Sequence, residues 1–539
     1  MKRVILIALS IVLMPVLGYG QSFPPVDAAV GTWMMHNGST SLSGLQLLRG
    51  AVTGPHIKCS YSLGYYGEGD PVIADINGDG LNEIVIVAWC SGYVSAFRGT
   101  NCFLLWSRNI GGSGGVTPAV GELNPSIPGL DIAVTWTDRK LYVLRGTDGA
   151  ILWSRYIGGT NPYYGSISPP TIFDANGDGV GEVYVVGDSI YALRGTNGSK
   201  IWSYPASGGF ASVAIADINN DEQYEVVTVA NSGGSWRVIV LRATNGAFLW
   251  SYTVGSQGNP AIADLDNDGY KEIVVATANG WLYALRHNGT LYWSRNMGYG
   301  TDAFDIQALN SPTIADVNGD GKKEIVYGHY RWYTSGSCYN QYVHVLRGTN
   351  GNTIWSYSGP CSGYQAHARK IADIDSDGQI EIILTGAGYG PSPYIRVLDG
   401  RMGYVEWTYS SGRFEGLAIG DVDNDGCMEI VATPDCCYGI TFVVFDSPYP
   451  VSGCGILGED EELKVEEEGK IGGVYLLVSP VKGGVNVETG RKAFIEIYTS
   501  DGRKVKGLEV DRSAFVELKK GTYIFRVKRH NLYRTVIVR

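Results

Sequence analysis

The sequence predicts an all-β protein: an eight-bladed β-propeller closed by N-terminal strands and followed by a small C-terminal β-sandwich. Three observations carry that expectation. A nine-residue acidic loop recurs seven times, starting at Asp75, Asp174, Asp217, Asp264, Asp316, Asp373 and Asp421. Each copy lies between two apolar, strand-like runs, as in PVIAD before the first copy and EIVIV at its end. From Asp174 on, successive copies start 43 to 57 residues apart, a period that indicates blades or a solenoid.

Each full unit reads as four strands. In the fifth, PAIAD enters the acidic loop and EIVVATA leaves it, WLYALR follows an Asn-Gly turn, and a second turn leads to LYWSRNMG. Four short strands with alternating apolar residues make one blade. A further unit lies between the first two loops. Its loop is degraded to Glu122-Leu-Asn124-Pro-Ser-Ile-Pro-Gly-Leu-Asp131, but its later strands, KLYVLRGTDGAILWSRYIGG, are intact. The last unit stops after its third strand, TFVVFD, and residues 45–63 (LQLLRG, then HIKCSYSLG) are orphan late strands expected to complete it. Closure of this kind removes exposed sheet edges.

The loops carry the chemistry. Side-chain oxygens at positions 1, 3, 5 and 9 with a backbone carbonyl at 7 suit a hard cation such as Ca²⁺. The sets are Asp75, Asn77, Asp79 and Glu83 with Leu81; Asp174, Asn176, Asp178 and Glu182 with Val180; Asp217, Asn219, Asp221 and Glu225 with Gln223; and Asp264, Asp266, Asp268 and Glu272 with Tyr270. The others are Asp316, Asn318, Asp320 and Glu324 with Lys322; Asp373, Asp375, Asp377 and Glu381 with Gln379; and Asp421, Asp423, Asp425 and Glu429 with Cys427. An EF-hand would place its closing Glu at position 12 between helices. Here the Glu falls at 9 between strands, so the loop is a metal-tied β-turn and seven structural Ca²⁺ sites are expected. Glu222 stands where the other copies have Gly, so that copy should hold its ion least well. The net charge is −11, yet from Lys470 on the chain has 15 Lys+Arg against 6 Asp+Glu. The acidity therefore sits in the repeats and reads as ion ligation, because solvated charge does not recur at fixed spacing.

On these residues the acidic loops resemble the FG-GAP or VCBS calcium repeats of integrin-α-type propellers. The element Arg145-Gly-Thr-Asp-Gly-Ala-Ile-Leu-Trp153, with Trp106, Trp202, Trp250, Trp293, Trp355 and Trp407 in register, resembles the tryptophan-docking repeat of quinoprotein-type propellers. The tryptophans are read as inter-blade packing, not as ligand-stackers. The domain plan places the propeller at 21–450, an acidic linker at 451–471 and the sandwich at 472–539. The last of these, through IEIYTSDGRKV and ELKKGTYIFRV, is similar to the C-terminal sorting domain of the bacterial type IX secretion system, with Ser479-Pro480 where Asn-Pro is usual. That resemblance implies the type IX machinery as a partner. Residues 1–20 read as a secretory signal: a basic start, an apolar stretch of about 14 residues and Gly18-Tyr-Gly20. No later stretch reaches about 18 apolar residues, so no transmembrane segment is expected and the location is secreted or the outer surface of a bacterium.

For function, the parity of antiparallel strands puts the acidic loops on one face, called lower, and Tyr-rich connections such as SLGYYGEGDP and IGGTNPYYGSISPP on the other. Tyr-rich loops suit an extracellular glycan or protein ligand. No catalytic constellation stands out. A polysaccharide lyase would need a base and a cation on the upper face, where His329 and His367 fall near Arg331, Tyr364 and Arg369. A redox quinoprotein would need a Cys436–Cys437 bond and an axial cofactor pocket. No basic patch interleaved with aromatics suggests nucleic acid. Among nine cysteines, Cys338–Cys361 is the expected bond. Cys90–Cys102 is excluded, because a strand of about six residues separates them by roughly 20 Å, beyond the ~7 Å limit.

Overall fold

Short apolar runs punctuated by glycine turns produce eight four-stranded antiparallel sheets in the computed structural model of the chain. It describes residues 34–448, excepting 36–37, 40, 43, 65–68, 89–90, 113–116, 160–167, 209–210, 298–310, 333–338, 363–368, 387–393 and 435–439, together with Cys454 and the strands of 476–538. Blades 1 to 7 span 72–109, 119–156, 171–204, 214–253, 258–296, 313–362 and 369–409. Blade 8 is 414–445 completed by Ile57–Ser62, which pairs antiparallel with Thr441–Phe445. The degraded unit is a full blade, the second. Every regular element among the described residues is a strand, and no helix is long and apolar enough to cross a membrane.

The first strand of each blade is the innermost. Val72–Ala74, Ala119–Gly121 and Thr171–Phe173 are wholly buried, and Val72–Ala74 touches both Ala119–Gly121 and Phe414–Gly420, which closes the ring. The Val/Ile/Ala runs that follow the loops, such as Glu83–Ala88 and Glu272–Thr277, are buried on both faces because blades stack on either side.

The closing segment corrects one expectation. Only Ile57–Ser62 becomes a blade strand. Residues 45–52 instead run between blades 7 and 8, with parallel bridges Leu45–Ile371 and Gly50–Met428 and an N–H from Gln46 to the Ile371 carbonyl at 3.0 Å. The reason is burial: Leu48 and Val52 fill the core shared by blades 7, 8 and 1, while Gln46 Nε2 donates to the Ile419 carbonyl at 2.8 Å. The residues before them cross the centre of the ring. The Met34 carbonyl accepts Val120 N–H of blade 2, the Ser41 carbonyl accepts Ile262 N–H of blade 5, and Gly44 lies against Thr313 of blade 6. The chain thus occupies its own axis.

Neighbouring blades are locked by the tryptophans, as the sequence implied. Trp106 Nε1 donates to the Gly146 carbonyl at 2.7 Å, Trp153 to Gly195 at 2.6 Å, Trp293 to Gly348 at 2.7 Å and Trp355 to Gly400 at 2.9 Å. Trp202 and Trp250 do the same to Ala243 and His287. Each ring covers a turn glycine of the next blade. Trp407 faces blade 8, which lacks that turn, and its Nε1 is buried without a partner.

At the seam a disulfide replaces this lock. Cys59 pairs with Val444 beside a bulge, the place Trp153 takes opposite Val143. Cys102 holds φ 61° where Gly149 and Gly198 hold 66° and 67°. The two cysteines are bonded, with Cα atoms 5.9 Å apart, so blade 8 is tied covalently to blade 1. Cys427–Cys454 anchors the chain beyond the last blade to the blade 8 loop. The exclusion of Cys90–Cys102 agrees with Cys102 being bonded to Cys59. Cys90, Cys338, Cys436 and Cys437 lie outside the described residues, and with them the expected Cys338–Cys361 bond.

Beyond the propeller, strands form two antiparallel sheets. One joins Leu476–Val481, Gly484–Thr489 and Ser513–Glu517, and the other joins Lys504–Val510, Ala493–Thr499, Gly521–Val527 and Tyr533–Val538.

The Trp-on-glycine contact is directly testable. A Cβ at Gly198 would lie 2.5 Å from Trp153 Cε3 on a backbone with φ +67°. Overpacking and left-handed strain together put the cost of Gly198→Ala at about 2–4 kcal/mol. Urea unfolding of the two proteins measures it; a loss below about 0.5 kcal/mol would show that the lock contributes little.

Candidate metal centres

Each acidic loop winds around its first aspartate. In the first copy, Asp75 Oδ1 accepts Gly78 N–H at 2.7 Å and Oδ2 accepts Gly80 N–H at 2.9 Å. Asn77 and Asp79 accept the N–H groups two residues on, and Glu83 Oε2 reaches back to Ile76 N–H at 3.1 Å. The closing glutamate repeats that bond in the copies at Asp174, Asp217, Asp264, Asp373 and Asp421. All seven position-7 residues donate their N–H to the position-5 aspartate, at 2.8–3.0 Å.

The winding requires left-handed backbone at positions 4 and 6. Position 6 is glycine with φ 81–89° in six copies, and in the remaining copy Glu222 adopts φ 64°. Position 4 is Gly, Asn or Ser, the first two being the residue types that tolerate this region best. Asparagine there does more. Asn267 Nδ2 donates to the Gly321 carbonyl of the next loop at 2.8 Å, Asn424 Nδ2 to Gly80 across the seam at 3.0 Å, and Asn220 to Gly269. Sequence reasoning had not singled out these bonds between loops.

Carboxylates converge in five copies. Asp174, Asp178 and Glu182 bring one oxygen each within 4.8 Å of one another; so do Asp264, Asp266 and Glu272; Asp316, Asp320 and Glu324; Asp373, Asp375 and Glu381; and Asp421, Asp423 and Asp425. The copies at Asp75 and Asp217 form no such triad among the described residues. Several carboxylate oxygens of these triads are buried with no hydrogen-bond partner: Asp264 Oδ1, Asp266 Oδ1, Glu272 Oε1, Glu324 Oε2, Asp373 Oδ1, Glu381 Oε1 and Asp423 Oδ1, as is Oε1 of the closing Glu429. Orphaned, desolvated carboxylate oxygens aimed at one point are the donor set a hard divalent cation takes. The residues present therefore fit Ca²⁺.

The same burial raises the carboxylate pKa values. Desolvation first, and neighbouring carboxylates second, push Glu83 up to about 8. Desolvation likewise lifts Glu272 and Glu324 to about 7 and Glu381 to about 10. In blade 2, Asp131 is lifted to about 7 by burial and by Glu122 beside it.

Basic side chains of the chain itself meet some of these charges. Arg49 Nε lies 2.8 Å from Asp373 Oδ2, Lys58 Nζ lies 2.6 Å from both Asp423 and Asp446, and Arg286 Nη1 lies 3.7 Å from Asp266. Arg242 Nη1 contacts Asp221 and Glu225. The sequence signal for Arg242 is its register opposite the closing glutamate, Glu225. Arg49 and Lys58 carry no local signal.

On the upper face, His329 is not a surface group. It is buried in Glu324–Trp332 and stacks on Tyr327, Tyr342 and His344. The side chains of Arg331, Tyr364, His367 and Arg369 and most of the Tyr-rich connections lie outside the described residues.

An FG-GAP-like repeat family model matches residues 264–327, from the blade 5 loop into blade 6. The chain is similar in fold to the quinohemoprotein alcohol dehydrogenase of Comamonas testosteroni, at 12% identity and a TM-score of 0.58, covering 78% of this chain and 81% of that one. The quinohemoprotein alcohol dehydrogenase ADHIIG of Pseudomonas putida HK5 gives 11% identity and a TM-score of 0.56 over the same shares. A europium-containing methanol dehydrogenase gives 12% identity and a TM-score of 0.55, covering 75% and 89%. At these identities the likeness establishes the propeller fold. No curated protein matches the chain.

The raised carboxylate values set a pH dependence for metal-free protein. A glutamate whose folded pKa lies above its ordinary 4.5 contributes stability that is fully present below 4.5 and is lost as pH rises through its folded value, here about 7 to 8 for Glu272, Glu324 and Glu83. In chelator, the melting temperature should therefore fall between pH 5 and pH 8. A melt that rises over that window would contradict the burial of these groups.

Proposed function

We propose that the chain is a secreted, calcium-stabilised β-propeller acting as a cell-surface adhesion or carbohydrate- or protein-binding module. Its upper loops meet an extracellular glycan or protein, and its C-terminal domain addresses it to the type IX secretion machinery. The observation that carries the reading is the set of orphaned, converging carboxylate oxygens at the mouths of the hairpins. Such sites hold a scaffold together. Bound calcium would supply the positive charge that lets these buried carboxylates stay ionised. The loops meanwhile hold their oxygens in place through Asx turns and bury the closing glutamate. Ligand at 100-fold above Kd stabilises the folded chain by about 2.7 kcal/mol per site. Extracellular sites of this kind work with Kd near 10⁻⁴–10⁻³ M.

A redox quinoprotein reading draws on the fold likeness to alcohol dehydrogenases, but it needs an axial pocket. The described residues among 34–44 run through that place, with Ser41 and Leu42 fully buried. A lyase reading loses His329, whose ring is packed inside blade 6. Both observations favour a binding module over an enzyme.

Two measurements test the proposal. Removal of divalent ions by chelator should lower the melting temperature by ten degrees or more, and calcium should restore it; an unchanged melt sinks the structural role of the ion. A glycan and extracellular-protein array, read for retention and for chain cleavage, should give retention without cleavage. Cleaved product would instead favour the lyase.

A further inference from the structure

Five of the seven acidic loops are balanced in charge in the same way, and blade 4 is not. Copies with aspartate at position 3 carry four ligand-position carboxylates, and in each a basic side chain of the protein meets one of them. Arg286 lies 3.7 Å from Asp266, Arg49 2.8 Å from Asp373 and Lys58 2.6 Å from Asp423. Three carboxylates remain uncompensated in each of those loops. Copies with asparagine at position 3 carry three ligand-position carboxylates. In the copies at Asp174 and Asp316 no ion pair reaches them among the described residues, although Arg194 and Arg347 stand opposite Glu182 and Glu324. The count is again three.

The copy at Asp217 also has asparagine at position 3, Asn219, and three ligand-position carboxylates. Yet Arg242 Nη1 lies 2.6 Å from Glu225 Oε1 and 2.9 and 3.1 Å from the two oxygens of Asp221. The guanidinium bridges positions 5 and 9, the two carboxylates that converge with position 1 in the copies at Asp174 and Asp316. Asp217, Asp221 and Glu225 form no such triad, but neither do the carboxylates of the Asp75 copy, so it is the guanidinium contact and not the missing triad that sets blade 4 apart. Glu225 is wholly buried, and Arg242 is mostly so. An arginine does not deprotonate in a protein, so its charge is permanent, and its fork of donors matches paired carboxylate oxygens.

We propose that Arg242 is the resident cation of the blade 4 loop, bridging Asp221 and Glu225 in place of the divalent ion that the other acidic loops take. This rests on the reading of those other loops as ion sites. A divalent ion entering blade 4 would meet a fixed positive charge and only two uncompensated ligand carboxylates. Blade 4 is then the unit whose hairpin stays pinned when external calcium falls.

The full-length protein tests this with four variants. Asp217 does not touch Arg242, so Asp217→Asn removes a would-be ion ligand without disturbing the guanidinium bridge; Asp316→Asn is the matched control in an asparagine-type loop. After equilibration with calcium and buffer exchange, elemental analysis should show one equivalent lost in Asp316→Asn and none in Asp217→Asn. Loss of one equivalent in both overturns the role of Arg242. No calcium in any of them, wild type included, overturns the reading of the other loops instead. The chelator melt of Arg242→Gln then decides blade 4 without reference to metal. It should fall several degrees below wild type in chelator, with Arg242→Lys in between. An Arg242→Gln melt equal to wild type in chelator overturns the proposal.

Discussion

Carboxylates brought together at the mouths of five first hairpins are the constraint on which the rest of this molecule depends. The loop is a local object: aspartates accept the N–H groups of the residues that follow, and the closing glutamate reaches back to position 2. That winding delivers acidic oxygens to one point in five copies, with the closing glutamate buried. Buried like charges must be protonated or compensated. The chain compensates some itself, through Arg49, Lys58, Arg242 and Arg286, and leaves others with open oxygens. Asn267 and Asn424 each bond to the following loop, so these neighbouring loops are joined by direct hydrogen bonds.

Ring closure adds a second layer of the same economy. Six tryptophans each donate an N–H to the adjacent blade and cover its turn glycine, and at the seam Cys59 and Cys102 take over the two halves of that contact. Bulk packing between blades is thus a repeated, directional contact rather than a uniform apolar interface. The N-terminal chain strengthens it further by threading the centre and leaving between blades 7 and 8. The ring is thus held by contacts between its blades and crossed at its centre by the described residues among 34–44.

Blade 4 shows how a repeat diverges without losing its fold. Glu222 takes the left-handed conformation that glycine takes elsewhere, which costs about 1–2 kcal/mol. The guanidinium of Arg242 supplies charge to the same hairpin. Local pattern led to the expectation that this copy holds an ion least well, through Glu222; the structure adds a guanidinium contact from Arg242, one strand away.

What the sequence by itself determined were the features whose cause is local. The acidic loops, the four-strand units, the tryptophan register, the degraded second blade and the closing strand at HIKCSYS all follow from residue types at short, repeated spacing, where backbone turns and alternation act between near neighbours. Tertiary structure decided what depends on the ring coming round. Lys58 meets Asp423 across 365 residues, Cys59 replaces a tryptophan because it reaches blade 1, and LQLLRG lies between two blades rather than on the edge of one. No periodicity reports such pairs. They exist because closing eight sheets brings residues 57–62 beside 441–445.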